Sequence, residues 1–117
     1  MPRIRHIAIC TDNLEREAGF YRDAFDLKEM RRGDGFISLS DGYLGVTLLE
    51  VDRDSPRKGL DHFGFQVEDL ELAKQRLRQV KPDIQITEPD QVGTSTECKV
   101  RDPDGNVFDI SQKGWPV

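Results

Sequence analysis

Two ten-residue segments of this chain match each other at an offset of 56 residues without a gap. The first runs from His6 to Glu15 and the second from His62 to Glu71. Each reads as an apolar strand, then an acidic or amide residue suited to cap a helix, then the start of that helix. A repeat at a fixed period indicates that one supersecondary unit occurs twice. We therefore expect the chain to fold from two copies of the same strand–helix unit.

Both segments lead into a helix with one apolar face. In the first copy Asp12 or Asn13 is suited to cap the helix, which we expect to run to about Phe25. In the second copy, apolar residues at three- to four-residue spacing continue from 70 to 80, and Pro82 ends the helix.

Short strands separated by turn residues follow each helix. We predict strands at 35–39 and 44–51 in the first half, and at 84–86, 96–101 and 106–111 in the second half. The Asp-Pro-Asp-Gly sequence at 102–105 favours a hairpin turn between the last two strands. Each half thus reads as β-α-β-β-β, which predicts an α+β protein. We expect a single domain over 1–117, with a first module at 1–52 and a second at 60–113.

Charge and hydropathy argue against several other classes of protein. The net charge is −5 with acids and bases interleaved, which is unlike the concentrated basic footprint of nucleic-acid binders. No apolar run approaches the roughly 20 residues of a membrane helix. The N-terminus enters a strand pattern with no apolar signal segment, so we expect a cytoplasmic protein. Cys10 and Cys98 are expected to be free thiols, and the charged run 28–32 is interpreted as a solvated face.

The alternation of side chains along strands predicts which residues face away from the helices. If the apolar residues of each strand pack under the helices, His6, His62 and Asp109 all lie on the opposite face of three separate strands. Two histidines and one carboxylate are a typical ligand set for Fe²⁺ and neighbouring divalent ions. A structural histidine at a strand start is the alternative for either residue alone. The two histidines are the only ones in the chain, however, and they occupy equivalent repeat positions, which favours a metal site.

Four segments together resemble the vicinal oxygen chelate superfamily, which includes glyoxalase I, methylmalonyl-CoA epimerase, fosfomycin resistance proteins and extradiol dioxygenases. These segments are 6–15, 20–23, 61–67 and 102–109. The resemblance implies two modules whose sheets curl into a half-open barrel around one divalent metal ion, which is Fe²⁺, Mn²⁺, Ni²⁺, Co²⁺ or Zn²⁺. It also implies a homodimer. The sequence leaves open whether His6 joins His62 and Asp109 of its own chain or of its partner.

The sequence departs from the family pattern at two positions. Asp109 stands where the family usually has Glu, and its side chain is shorter by one methylene, about 1.5 Å, although metal–oxygen distances tolerate only about 0.2 Å. It therefore ligates a metal only if its strand lies closer or a water bridges. Thr47 stands where glyoxalase I and the epimerase have Glu or Gln, and a hydroxyl is not a carboxylate base. Glu50 would reach the cleft only through a one-residue bulge, and a solvated strand-end residue is the simpler interpretation.

Two functional hypotheses follow. The first is a metal-dependent lyase, isomerase or dioxygenase that acts on a small oxygen-bearing molecule, with the metal as Lewis acid and no catalytic residue assigned. The second is a metal-free binding or resistance protein that sequesters its ligand. Retention of three ligand positions favours the first, and the short Asp109 and absent fourth ligand favour the second. The residues expected to line the substrate pocket are Thr47, Cys10, Gln66 and Ser111; Cys10 is alternatively a small core residue. Trp115, in the tail, either covers the cleft mouth or dimer seam or packs on the surface.

Overall fold

The structure, a computed structural model, describes residues 1–89 and 97–117. Its secondary-structure elements are, in chain order, β1 (Arg3–Thr11), α1 (Leu14–Phe25), β2 (Lys28–Gly33), β3 (Phe36–Ser40), β4 (Gly45–Glu50), β5 (Gly59–Gln66), α2 (Leu70–Val80), β6 (Ile86–Thr87), β7 (Cys98–Arg101) and β8 (Val107–Ser111). The predicted loop around Gly93 and the predicted strand start at Thr96 lie outside the described residues. Within the described ranges, neither helix has the length and apolar content needed to cross a membrane.

The chain divides into two units. The first unit comprises Arg5–His62 with Trp115–Val117, and the second comprises Met1–Ile4 with Phe63–Gly114. The boundary falls inside β5, whose first four residues belong to the first unit and whose last four belong to the second.

The first unit packs α1 against one face of a sheet with the strand order β2-β3-β4-β1. β1 runs parallel to β4, and the other neighbours are antiparallel. The core lies between helix and sheet and is built from Ala18 of α1 with Ile37, Leu39 and Leu48 of the strands. Ile9 of β1 packs against this core, as the alternation predicted.

The second unit repeats this arrangement with the strand order β5-β8-β7-β6 and α2 as its helix. β5 runs parallel to β8, just as β1 does to β4. Its core consists of Cys98, Val100, Phe108 and Ile110, with Leu70 and Leu77 of α2 among the residues packed against it. The two units therefore share one topology, which confirms the predicted α+β class.

Both helices begin where the repeat predicted. The Asn13 side chain accepts a hydrogen bond from the Arg16 backbone N–H at 3.0 Å, and the Asp69 side chain accepts one from the Leu72 N–H at 3.2 Å. These caps satisfy N–H groups that the first turn of a helix leaves unpaired. Asp26 ends α1 in the left-handed region, with φ of 57°.

The turn between β7 and β8 is held by the carboxylate of Asp102. One of its oxygens accepts hydrogen bonds from the backbone N–H groups of Asp104 and Asn106, at 3.0 and 2.8 Å. Gly105 has φ of +88°, a conformation that favours glycine. The hairpin predicted from Asp-Pro-Asp-Gly is therefore present.

One strand was not predicted, and another is shorter than predicted. The charged run 28–32 is mostly exposed, as predicted, but it also forms most of β2 at the edge of the first unit's sheet, a strand that was not predicted. Most β2 residues are exposed, so the strand lacks the apolar alternation by which strands are recognised. The last strand before the 90–96 segment is β6, which covers Ile86–Thr87 rather than 84–86.

Candidate metal centre

His6 and His62 meet within the first unit. Their Nε2 atoms are 3.4 Å apart, and their ring centroids are 5.3 Å apart. Both are shielded from solvent, with His6 4% exposed and the side chain of His62 7% exposed. Two nitrogens bound at about 2.1 Å to one ion lie about 3.0 Å apart at a right angle and about 3.4 Å apart at a tetrahedral angle. The separation of the two Nε2 atoms therefore fits joint ligation of one metal ion.

The C-terminal tail covers His6. The indole of Trp115 stacks on the imidazole of His6, with ring centroids 4.5 Å apart and planes 4° apart. Gly45, the β4 residue paired with His6, makes room for this tail. A Cβ at position 45 would lie 3.3 Å from the carbonyl oxygen of Pro116 and 3.6 Å from the Cβ of Trp115. Trp115 thus packs on a candidate ligand rather than on an unrelated part of the surface.

Asp61 and Arg57 hold His62 from the other side of its ring. The carboxylate of Asp61 lies 2.7 Å from Nδ1 of His62. Arg57 donates to both carboxylate oxygens, at 3.1 and 3.0 Å. The hydrogen bonds from Arg57, followed by the one from His62, lower the pKa of Asp61 to about 2 although burial opposes this. The carboxylate is therefore ionised at neutral pH and accepts a hydrogen bond from Nδ1–H of His62.

Asp61 and Arg57 were not among the predicted site residues. Strict alternation places Asp61 on the face opposite to His62, because the two are adjacent on β5. The available signal was an acid directly before a candidate ligand, with an arginine four residues earlier.

Cys10 is buried and lies on the same face of β1 as His6. Burial, followed by the nearby charge of Asp61, raises the pKa of its thiol. Cys10 is therefore a protonated thiol at neutral pH. Its predicted role in a substrate pocket stays a prediction.

Asp109 lies on β8 in the second unit and is 2% exposed. It pairs with Gly64 of β5, which follows His62 by two residues on the same strand. On the neighbouring strand β7, Lys99 pairs with Asp109, and its Nζ lies 2.9 Å from Oδ1. Lys99 was not predicted as a site residue. Its position between the core residues Cys98 and Val100 nevertheless indicates that it faces away from the core, as Asp109 does.

The strand registers make Thr47 the repeat equivalent of Asp109. Thr47 pairs with Ala8 in the first unit as Asp109 pairs with Gly64 in the second, and Ala8 and Gly64 are 56 residues apart. The hydroxyl of Thr47 lies 3.3 Å from that of Ser38. The first unit therefore has a neutral hydroxyl where the second has a carboxylate.

Glu50 lies on the face of β4 that the sequence indicated. The register of β4 is continuous from Gly45 to Glu50, and Glu50 pairs with Thr11. It therefore shares the face of Leu48, which packs in the core, and is itself exposed. The bulge that would bring Glu50 into a fourth-ligand position is not present in β4.

Gln66 and Ser111 hold the turn that leads to the tail. The hydroxyl of Ser111 accepts a hydrogen bond from the N–H of Gly114 at 2.9 Å. The Gln66 amide lies so close to Gly114 that a Cβ there would be 2.6 Å from it. Gly114 also has φ of +78°, so both space and backbone conformation favour glycine. Whether Gln66, Ser111 or Thr47 also lines a substrate pocket stays a prediction.

The profile of the Glyoxalase/Bleomycin resistance protein/Dioxygenase superfamily matches residues 3–110. The chain belongs to this superfamily. This confirms the family resemblance that the sequence indicated, since glyoxalases and dioxygenases are among the proteins it named.

Relatives within the superfamily include a curated enzyme. The manganese-dependent 2,3-dihydroxybiphenyl 1,2-dioxygenase of Geobacillus genomosp. 3 is 30% identical over 110 residues, which are 90% of this chain and 35% of that protein. The chain thus spans about a third of that relative's length.

Solved superfamily structures share the fold. The 2,3-dioxygenase LapB from Pseudomonas sp. KL28 has a TM-score of 0.71 at 22% identity, with 98% of this chain and 42% of that chain covered. Methylmalonyl-CoA epimerase from Mycobacterium tuberculosis has a TM-score of 0.69 at 17% identity, with 92% and 85% covered. These two structures, one of a dioxygenase and one of an epimerase, share the fold of this chain.

Proposed function

We propose that this chain is a metal-dependent enzyme of the superfamily, with His6, His62 and Asp109 as the ligands of one divalent ion. The observation that carries the proposal is the 3.4 Å separation of the Nε2 atoms of His6 and His62. That distance is long for a hydrogen bond between two ring nitrogens and suits two ligands of one ion. Both imidazoles are also removed from bulk solvent, as ligands of a closed site usually are.

The register of the second unit supports Asp109 as the third ligand. On β5, His62 and Gly64 lie on one face because they are two residues apart, and Asp109 is paired with Gly64. Its carboxylate is buried, and in the metal-free protein the ammonium of Lys99 neutralises it. A buried carboxylate held by a cation is suited to accept a metal cation in its place.

We propose oxygenation of a vicinal dihydroxy compound as the reaction. The metal would supply Lewis-acid chelation of the two substrate oxygens, and three protein ligands leave positions open for them. Isomerisation or epimerisation needs a base beside the metal, and Thr47 at the repeat equivalent of Asp109 offers only a hydroxyl. The 30% identity to a manganese-dependent dihydroxybiphenyl dioxygenase supports the same choice.

The remaining residues of the site shield and orient the two histidine ligands. Trp115 covers one face of His6 and excludes water from that side of the ring. Asp61 fixes the orientation of His62 through its 2.7 Å contact with Nδ1. Together they keep two ligand atoms in place before an ion arrives, which reduces the ordering required on binding.

Metal analysis tests the ligand set. Native protein should be purified without chelators or a polyhistidine tag and analysed by mass spectrometry beside the His6→Ala, His62→Ala and Asp109→Asn variants. The matched control is Glu29→Gln, which removes a carboxylate bound by Arg32 and Arg22 in the first unit. We expect about one ion per chain in the wild type and the control, and loss in the three ligand variants. No metal in the wild type, even after addition of divalent ions, would contradict the proposal and favour a metal-free binding protein.

Oxygen uptake tests the reaction. We expect metal-loaded protein to consume oxygen with 2,3-dihydroxybiphenyl or catechol, and His62→Ala to lose this activity. If the metal binds but no oxygen is consumed with either diol, the reaction class is wrong while the metal site stands.

A further inference from the structure

We infer that Asp61, held by Arg57, is a positioning residue that fixes the tautomer of His62 for metal binding. The effect on metal binding rests on the proposed function, whereas the tautomer of His62 does not. The three side chains form a continuous series in the first unit, from the guanidinium of Arg57 through the carboxylate of Asp61 to Nδ1 of His62. None of the three contacts exceeds 3.1 Å.

The carboxylate determines where the proton of His62 lies. An ionised carboxylate only accepts hydrogen bonds, so a 2.7 Å contact requires that Nδ1 of His62 carries the proton. In a neutral imidazole the lone pair is then on Nε2. Nε2 of His62 is the atom that lies 3.4 Å from Nε2 of His6. Asp61 therefore presents the metal-binding form of His62 before any ion is present.

Arg57 fixes the carboxylate itself. Its Nε and Nη2 bind different oxygens of Asp61, and such a bidentate pair defines both position and plane. With this bidentate partner, the carboxylate of Asp61 is held in its contact with His62.

The first copy of the repeat has a different residue at the position of Asp61. The residue equivalent to Asp61 in the first copy is Arg5, which precedes His6. Arg5 donates to the carbonyl of Tyr43 at 2.7 Å, and its guanidinium lies over the Tyr43 ring. Position 5 therefore supplies no carboxylate to His6, whose ring is stacked by Trp115. Substitution of Asp61 should act directly on Nδ1 of His62.

Nitrogen-15 NMR of the metal-free protein tests the tautomer directly. Long-range proton–nitrogen spectra at about pH 8, above the ordinary histidine pKa of about 6.5, distinguish protonated from unprotonated ring nitrogens. The chain has two histidines, so a His62→Ala spectrum assigns both. We expect wild-type His62 to carry its proton on Nδ1, and Asp61→Ala to give a mixture of His62 tautomers. Asp61→Asn preserves the volume if the alanine variant does not fold, and Glu29→Gln is the control.

Calorimetric titration with Mn²⁺ and with Co²⁺ tests the consequence for binding. Loss of such an outer partner typically weakens metal affinity 10- to 100-fold, and we expect a loss of about that size in Asp61→Ala. Arg57→Gln should give a smaller loss, and Glu29→Gln none. A wild-type His62 without a defined Nδ1 proton, or an affinity unchanged in Asp61→Ala, would overturn the inference. A wild type with the expected tautomer that binds neither ion would overturn the proposed function and support the Asp61–His62 pairing alone.

Discussion

The indole of Trp115 lies parallel to the imidazole of His6 at 4.5 Å between centroids, and it belongs to the only tryptophan in the chain. The fluorescence of this protein therefore has one indole source, which is in contact with a proposed metal ligand. Gly45 permits this contact because it leaves space for the tail beside β4.

The first prediction is that Co²⁺ or Cu²⁺ quenches this fluorescence. Paramagnetic ions quench an indole within a few ångströms, and an ion on His6 would be that close. We expect saturable quenching at one ion per chain, removed in His62→Ala, which keeps the His6–Trp115 stack. Diamagnetic Zn²⁺ should compete with Co²⁺ and restore emission. Quenching of equal size in the His62→Ala variant would show that the ion binds elsewhere.

The repeat explains why the two histidines were predictable from sequence. A gapless match over ten residues fixed their equivalence, and strand alternation gave them a common face. The pairing of Asp61 with His62 was not predictable in this way, because alternation separates neighbours on a strand. That contact depends on Arg57, which lies before β5 and turns the carboxylate toward Nδ1.

β2 was not predicted because its backbone pairing with β3 stabilises it, and an apolar side-chain pattern does not mark it. It pairs with β3 through backbone hydrogen bonds, with a register shift between Glu29 and Arg31, while most of its side chains are exposed. Charged side chains on an edge strand discourage pairing with other chains. An edge strand of this kind therefore lacks the alternating apolar residues that predict a strand from sequence. The half-open barrel and the homodimer implied by the family resemblance stay predictions.

The second prediction concerns the ion pair between Lys99 and Asp109. Lys99→Met leaves the buried carboxylate without this ammonium, and since Lys99 is half exposed we expect a loss of about 1 kcal/mol in the free energy of unfolding of the metal-free protein. Mn²⁺ should then raise the melting temperature more in Lys99→Met than in the wild type, because no ammonium has to be displaced from Asp109. Lys99→Arg, which keeps the charge, is the control. Equal metal-induced shifts in Lys99→Met and wild type would count against Asp109 as a ligand.

The third prediction concerns pH and the buried ammonium of Lys74. Its hydrogen bond to Glu88 raises the pKa of Lys74 and lowers that of Glu88. A lowered carboxyl pKa contributes stability above the ordinary value of 4.5, and this is lost as the pH falls through the folded value. The raised pKa of Lys74 contributes stability below 10.5 that is lost at higher pH.

Melting temperatures measured between pH 3 and pH 7 test this pair. We expect Glu88→Gln to melt a few degrees lower than the wild type at pH 7 and to approach it as Glu88 of the wild type becomes protonated. Lys74→Met replaces the buried ammonium by an apolar chain of similar length and should cost less than Glu88→Gln, since it removes the desolvated charge. A constant difference between Glu88→Gln and wild type across this range would contradict the assignment.

The fourth prediction uses the repeat equivalence of Thr47 and Asp109. Since Thr47 pairs with Ala8 as Asp109 pairs with Gly64, Thr47→Asp places a second carboxylate at the corresponding position of the first unit. We expect the affinity for Mn²⁺ to rise about tenfold, roughly 1.4 kcal/mol, and oxygen uptake with a diol to fall because one open position is filled. Thr47→Val, which removes the hydroxyl next to Ser38 and keeps the shape, should leave the Mn²⁺ affinity unchanged. If Thr47→Asp binds Mn²⁺ no more tightly than Thr47→Val, the fourth position does not face the ion and the choice of dioxygenase over isomerase loses its structural argument.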